Sequence, residues 1–254
     1  MSAEEELSPS RRALYCFYGR LQKAIAPGIR YSQLDYLDVL KARAVPGCRW
    51  LDLGCGHRMF PDFMSAEERA LAARAAYLVG IDMVASDVKR HRTLAGRVAG
   101  NIESLPFAPE SFDLVTANMV IEHVVHPRAL LEQVFGVLRS KGLFIFHTPN
   151  RNCALIRMAR LVPQAVKNKI ILLLERRQEE DVFPTEYRMN TERDILSAAA
   201  GAGFEVVELK QLNSAAITAL LGPLAIFELL YLRMLENPRL AWLRSNLVVT
   251  LRKP

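Results

Sequence analysis

The stretch Trp50-Leu51-Asp52-Leu53-Gly54-Cys55-Gly56-His57-Arg58 joins a short apolar run to an acid and two glycines. The run has the length and composition of a strand, so the glycine turn stands where a strand ends. Gly54 and Gly56 let the backbone turn sharply and approach a ligand with no Cβ in the way, and Asp52 offers a carboxylate to a cation. A dinucleotide fingerprint needs a third glycine three positions after the second. Met59 stands there, which disfavours a pyrophosphate seated on the next helix. A turn that merely needs glycine accounts for the same residues, so the stretch alone leaves a structural role open.

The surrounding chain decides what kind of strand this is. Short apolar runs, CRWLDL, AYLVGID, FDLVTAN and GLFIFHT, alternate with helical stretches such as SAEERALAARAA and PRALLEQVFGVLRS. That alternation predicts a mostly parallel sheet with helices on both faces. Ser65 followed by Glu68 reads as a capping box for the first of these helices. Before the sheet, apolar residues at helical spacing (Leu14, Phe17, Tyr18, Leu21, then Leu34, Leu37, Leu40) predict two leading helices broken at Pro27-Gly28. The chain of 254 residues is expected to form a single domain: helices over 1–44, a ligand-binding half over 45–150, and a second half with helical inserts over 151–254.

Composition excludes more than it assigns. With 51% apolar and 24% charged residues the chain is neither disordered nor fibrous. Four cysteines far apart, with no C-x-x-C pair, argue against a zinc knuckle or a disulfide framework and fit a reducing cytoplasm. The start MSAEEELSPSRR lacks the cationic and apolar regions of a signal peptide. An excess of 33 Lys+Arg over 27 Asp+Glu favours anionic partners, yet no dense basic block with interleaved aromatics points to nucleic acid. His123 and His126 share helical spacing, but no third ligand accompanies them, so no metal is expected.

Further chemistry falls at the other strand ends, where open α/β sheets bind ligands. The second strand closes on Gly80-Ile81-Asp82, placing a carboxylate suited to ribose hydroxyls, and Asn101-Ile102 open a loop suited to a purine edge. Together, WLDLGCG, GID, NIESLPFAPESFDLV and LLEQVFGVLRSKGLFIFHTPN resemble, in order, the motifs of class I S-adenosylmethionine-dependent methyltransferases that act on small molecules and lipids. The likeness is strong over 45–150 and looser over 183–209. It implies a Rossmann-like seven-stranded sheet of order 3-2-1-4-5-7-6, the seventh strand antiparallel, which would pair FEVVEL with NLVVTL. It implies S-adenosylmethionine as cofactor. Asp52 and the Gly54-Cys55-Gly56 backbone would lie along its methionine part, Asp82 would hold the ribose, Met83 would cover the adenine and Asn101 would accept from the adenine amino group beside Ile102. Asn118, Met119 and Val120 would line the cofactor, with His123 beside it. Arg58 takes the place of the family's frequent third glycine and must point elsewhere, to solvent or to an anionic acceptor.

On the acceptor side, His147 at the end of the fifth strand is the candidate base. Tyr187, with Arg188 and Asn190 in FPTEYRMNT, falls where related enzymes cover the acceptor, although a capped loop before the helix TERDILSAAAGAG reads equally well. Methyl transfer to a small-molecule, glycan or lipid-like acceptor is the expected activity, and a non-catalytic cofactor-binding or scaffold protein of the same fold is the alternative. Two segments lie outside the common core, ALIRMARLVPQAVKNKIILLLERR and SAAITALLGPLAIFELLYLRML. The second is too interrupted to span a membrane. Its leucines are expected to be packed on the core or in a homodimer, in preference to a peripheral membrane contact.

Overall fold

The computed structural model describes residues 9–154, 157, 184–214 and 218–254. Most of the segment 154–177, and residues 215–217 of the second insert, lie outside the described residues. The chain divides into two compact units. One comprises 36–151, 183–211 and 246–254, and the other comprises 1–35, 152–182 and 212–245.

The first unit is built on a seven-stranded sheet of order β3-β2-β1-β4-β5-β7-β6. The strands are β1 (Arg49–Leu53), β2 (Tyr77–Asp82), β3 (Gly96–Ala99), β4 (Phe112–Asn118), β5 (Leu138–Pro149), β6 (Glu205–Leu212) and β7 (Asn246–Arg252). β1 runs parallel to β2 and β4, β4 parallel to β5, and β7 antiparallel to β5. FEVVEL and NLVVTL thus become neighbours, as the resemblance implied. β3 passed unnoticed in the sequence because GRVA is short, half-exposed and opens on glycine.

Central strands are apolar almost throughout because both faces are covered. Leu51 and Leu53 point into one large core with Val115, Ala117, Phe144 and Phe146. Helix α5 (Pro127–Val137) closes that core with Leu130, Leu131 and Val134, and α6 (Glu192–Gly201) adds Ile195 and Ala199. Each fully buried Leu or Phe contributes roughly 1.5–3 kcal/mol. Thr191 caps α6 by accepting from the Asp194 amide at 3.1 Å.

The expected capping box does not form. A single 3-10 turn, Asp62–Met64, feeds directly into helix α3 (Ser65–Ala72), so Ser65 already has helical geometry and no free helix start remains for it to cap. Glu68 is instead buried and accepts from the amides of Met59 and Phe60 at 3.0 and 3.1 Å and from the Thr93 hydroxyl at 2.8 Å. Its carboxylate holds the loop after the glycine turn.

The second unit contains α1 (Pro9–Ile25), which packs on a 3-10 segment (Ala219–Leu224) and on α7 (Ala225–Met234). Tyr18, Ala26, Ile29, Ala219, Ala225, Leu229 and Leu232 form its core. The leucines of this insert divide, Leu229 and Leu232 being packed into this core. Only one face of α7 is inward, and Leu224, Phe227 and Leu230 stand 60%, 70% and 53% exposed.

Candidate active site

The site assembles where β1, β2, β4 and β5 end. Parallel registry sets Leu53 beside Ile81 and Ala117, and Asn118 beside His147, so the motifs that follow each strand emerge along one edge. Gly54 has φ +61° and Gly56 has φ +50°, a left-handed turn that L-residues resist. A Cβ on Gly54 would come within 2.4 Å of Val120 Cγ2, whereas one on Gly56 would meet nothing within 4 Å. The first glycine is therefore required by packing, and open space lies in front of the second. The Cys55 thiol is buried, and a Cβ on Gly80 would press its Sγ, which leaves only the backbone of Cys55 for a ligand.

Asp82 spans the turn, its two oxygens accepting from the amides of Gly56 and Val84 at 2.9 Å each. Each oxygen keeps a lone pair for a further donor. Asp52 lies deeper. Trp50 and Asp52 project from one face of β1, and Thr116 is paired directly opposite Asp52 on β4. The Trp50 indole donates to Thr116 Oγ1 at 2.7 Å, and the Thr116 hydroxyl donates to Asp52 Oδ1 at 2.6 Å. Burial, with Glu68 and Asp82 nearby, pushes the Asp52 carboxyl up to about 7 against the one opposing hydrogen bond from Thr116. Beside it lies the buried hydroxyl of Tyr36, from α2 (Ser32–Arg43), which burial and the Asp52 carboxylate push well above its ordinary value against a bond to Thr116.

A cation fits this enclosure. Asp52 has the charges of Glu68 and Asp82 near it, and the turn leaves room for a ligand in front of Gly56, whereas a pyrophosphate would meet repulsion. Tyr36 and Thr116 were not singled out from the sequence, and Glu68 was read there only as half of a capping box. Tyr36 lies off the Leu34-Leu37-Leu40 stripe, and Thr116 sits inside a run read only as a strand.

The residues expected beside an adenine follow β2 and β3. Met83 is 69% exposed, and Ile102 packs against the core. Asn101 Oδ1 accepts from the Glu103 amide at 2.9 Å, which closes a local turn and leaves one lone pair on the oxygen. Glu103 in turn accepts from the amides of Val125 and His126 at 2.9 and 2.8 Å. Met119 is left-handed at φ +58° and donates its amide to the His147 carbonyl. Arg58 pairs with Asp62, four residues further along the chain.

His147 is buried with both ring nitrogens engaged. Nδ1 bonds Asn118 Oδ1 at 2.9 Å, Asn246 Nδ2 donates to Nε2 at 3.2 Å, and the ring stacks on Tyr36 at 5.6 Å. Asn118 itself donates through Nδ2 to the Met59 carbonyl at 2.8 Å, which fixes its oxygen as the acceptor and His147 Nδ1 as the donor. Burial lowers the imidazole to about 3. In this arrangement the ring is neutral and its Nε2 lone pair accepts from Asn246.

Tyr187 sits at φ +52° in a segment fastened at both ends. The amides of Glu186 and Tyr187 bond the Glu122 carbonyl, Arg151 bonds the Tyr187 carbonyl at 3.1 Å, and His123 Nδ1 bonds the Pro184 carbonyl at 2.8 Å. Arg188 pairs with Glu186 on the surface. Asn190 is buried and donates to Thr148 Oγ1 at 2.7 Å, and Thr148 donates to Glu122 Oε2 at 3.0 Å. Burial raises the Glu122 carboxyl. This chain of amide, hydroxyl and acid was missed because Glu122 and Thr148 are brought together only by the pairing of β4 and β5.

Sheet order and the acidic glycine turn together point to one family, and residues 25–209 match the model of a methyltransferase domain. The chain belongs to the methyltransferase domain family. Its fold is that of the S-adenosylmethionine-dependent class. A solved S-adenosylmethionine-dependent methyltransferase from Mesorhizobium loti superposes with a TM-score of 0.54 at 19% identity, covering 85% of this chain and 96% of that one. The ubiquinone biosynthesis O-methyltransferase of Hahella chejuensis is 35% identical over 129 residues, 47% of this chain and 50% of the relative. The malonyl-[acyl-carrier protein] O-methyltransferase of Legionella pneumophila is 30% identical over 135 residues, 51% of this chain and 43% of the relative. This methyltransferase-domain protein thus spans about half the length of the curated relatives it matches.

Proposed function

We propose that this methyltransferase-domain protein binds S-adenosylmethionine and methylates a hydroxyl oxygen of a small, lipid-like acceptor. The observation that carries the reading is the enclosure of Asp52, Glu68 and Asp82 around a left-handed glycine turn, which suits a cationic cofactor and repels a diphosphate. The bound cofactor would supply an electrophilic methyl on a sulfonium, S-adenosylhomocysteine would be the leaving group, and the hydroxyl proton would pass to solvent water.

The chain's own residues bind and orient. Asp82 accepts from the ribose hydroxyls, the Gly54-Cys55-Gly56 backbone and Asp52 hold the methionine end, Met83 and Ile102 flank the adenine, and Asn101 accepts from its amino group. Asn118, Met119 and His123 line the same edge. Tyr187, on the fastened segment 184–191, faces the acceptor, and His147 positions Asn118 without taking a proton. Alignment and exclusion of water carry much of the rate, for which effective molarities on the order of 10⁵ M are attainable. Oxygen is favoured as nucleophile because both curated relatives compared above are named O-methyltransferases.

Calorimetric titration with S-adenosylmethionine, S-adenosylhomocysteine and NAD tests the cofactor. The first two should bind and NAD should bind far more weakly, and the reverse order sinks the reading. Transfer of labelled methyl to a panel of alkyl-substituted catechols and acyl carboxylates tests the acceptor. Labelling of carboxylates alone would reject the hydroxyl assignment.

A further inference from the structure

Helix α7 is apolar on both sides: Ala225, Leu229 and Leu232 pack into the core of the unit, and the outward face carries large apolar side chains as well. Its one acid, Glu228, is turned inward, where its carboxylate accepts from the amide of Thr218 at 2.8 Å and from the Thr218 hydroxyl. Its outward positions are Ile226, Phe227, Leu230 and Met234, all exposed, with Arg233 at their edge. Spacing of i, i+1, i+4 and i+8 sets these four on one stripe. Leu221 and Leu224 extend it from the preceding 3-10 segment, and Trp242 stands 48% exposed shortly after the helix. Helix burial normally places such side chains in the core, so an outward stripe marks a surface with something to bind.

Charge indicates what that is. Among the described residues of this unit nine Lys and Arg stand against three Asp and Glu, and one of the three is the buried Glu228. Arg239 is exposed just beyond the helix, and on α1 the exposed Arg12, Arg20 and Lys23 are interspersed with the exposed Tyr15 and Phe17. A second copy would set this basic unit against itself. A lipid surface bearing anionic headgroups would take up the apolar stripe in its acyl boundary and the guanidinium groups at its headgroups.

We infer that the outward stripe of α7 is a docking face for an anionic membrane surface. This inference does not rest on the identity of the methyl acceptor. It is tested on the whole chain by vesicle flotation with phosphatidylcholine alone and with phosphatidylcholine carrying phosphatidylglycerol. The protein should float with the anionic vesicles at least fivefold more than with the neutral ones, and 0.5 M salt should weaken the binding by screening. Phe227→Glu and Leu230→Glu, both at exposed positions, should each cut the floated fraction at least fivefold, while S-adenosylhomocysteine binding and thermal midpoint stay those of the parent. Flotation that neither substitution changes, equal flotation with neutral vesicles, or no flotation at all overturns the inference. So does a dimer in sedimentation equilibrium that Leu230→Glu dissociates, because the stripe would then be a contact between copies. Loss of S-adenosylhomocysteine binding in the parent would count against the proposed function and leave the flotation result standing.

Discussion

At the residue scale, the clearest consequences come from the acids at the strand ends. Asp82→Ala should weaken S-adenosylmethionine binding by about 1.5–3 kcal/mol, the value of hydrogen bonds to a charged acceptor, and calorimetry on the folded variant checks it. Asp52 adds a pH dependence. Free protein holds a proton on this carboxyl below about pH 7, and a cationic ligand favours the ionised form, so binding must expel that proton. Affinity should then fall about tenfold for each pH unit below 7 and level off above it. Asp52→Asn should flatten the profile, and an unchanged slope would remove Asp52 from the binding account. For His147, engaged at both nitrogens and lowered to about 3, His147→Asn should leave the shape of the pH–rate curve between pH 5 and 9 unaltered. Disappearance of a limb near pH 6.5 would restore it as a base. The sequence showed that a histidine ends this strand. Its two asparagine partners lie 29 residues before it and 99 after it, and only the folded sheet brings them to the ring.

At the element scale, the glycine turn and the segment that meets it are a matched pair. Gly54→Ala adds a Cβ at φ +61° and drives it into Val120, so it should cost about 1–2 kcal/mol for the left-handed backbone and more for the clash. Val120→Ala removes the offending methyls and should recover the clash term while leaving the backbone term, an interaction that a double-mutant cycle by urea denaturation measures. Strict additivity would show that the two residues do not press on each other. The strands other than β3, the leading helices and the turn were readable because hydrophobic period and glycine placement are local. The capping role of Ser65 was misread for an equally local reason: the 3-10 turn ahead of α3 consumed the helix start. Glu68 was thereby freed to brace the glycine loop, a role that depends on a contact with Thr93 across the fold.

At the scale of the whole molecule, burying an acid for function should show in stability. Folded protein keeps the Asp52 proton between its ordinary value of 3.8 and about 7, where the unfolded chain has released it, so this residue makes stability fall as pH rises through that window. Asp52→Asn should therefore gain on the parent by about 1.4 kcal/mol per pH unit between pH 4 and 7 and keep a constant advantage above 7, as read by urea unfolding across pH. His147 acts in the opposite sense. Neutral when folded and charged when unfolded between pH 6.5 and about 3, it makes acid destabilising over that range, and the two slopes offset each other in the parent. An advantage that does not grow with pH would mean that Asp52 is solvated. What the sequence by itself determined is the family, the strand order that comes with it, and the acids and glycines that mark the cofactor turn, because these are carried by short motifs in fixed order. Tertiary structure alone decided the protonation of Asp52, the engagement of His147, the link from Glu122 through Thr148 to Asn190, and which side of α7 faces out. Each of these depends on burial and on partners distant in the chain, and neither can be read from local spacing.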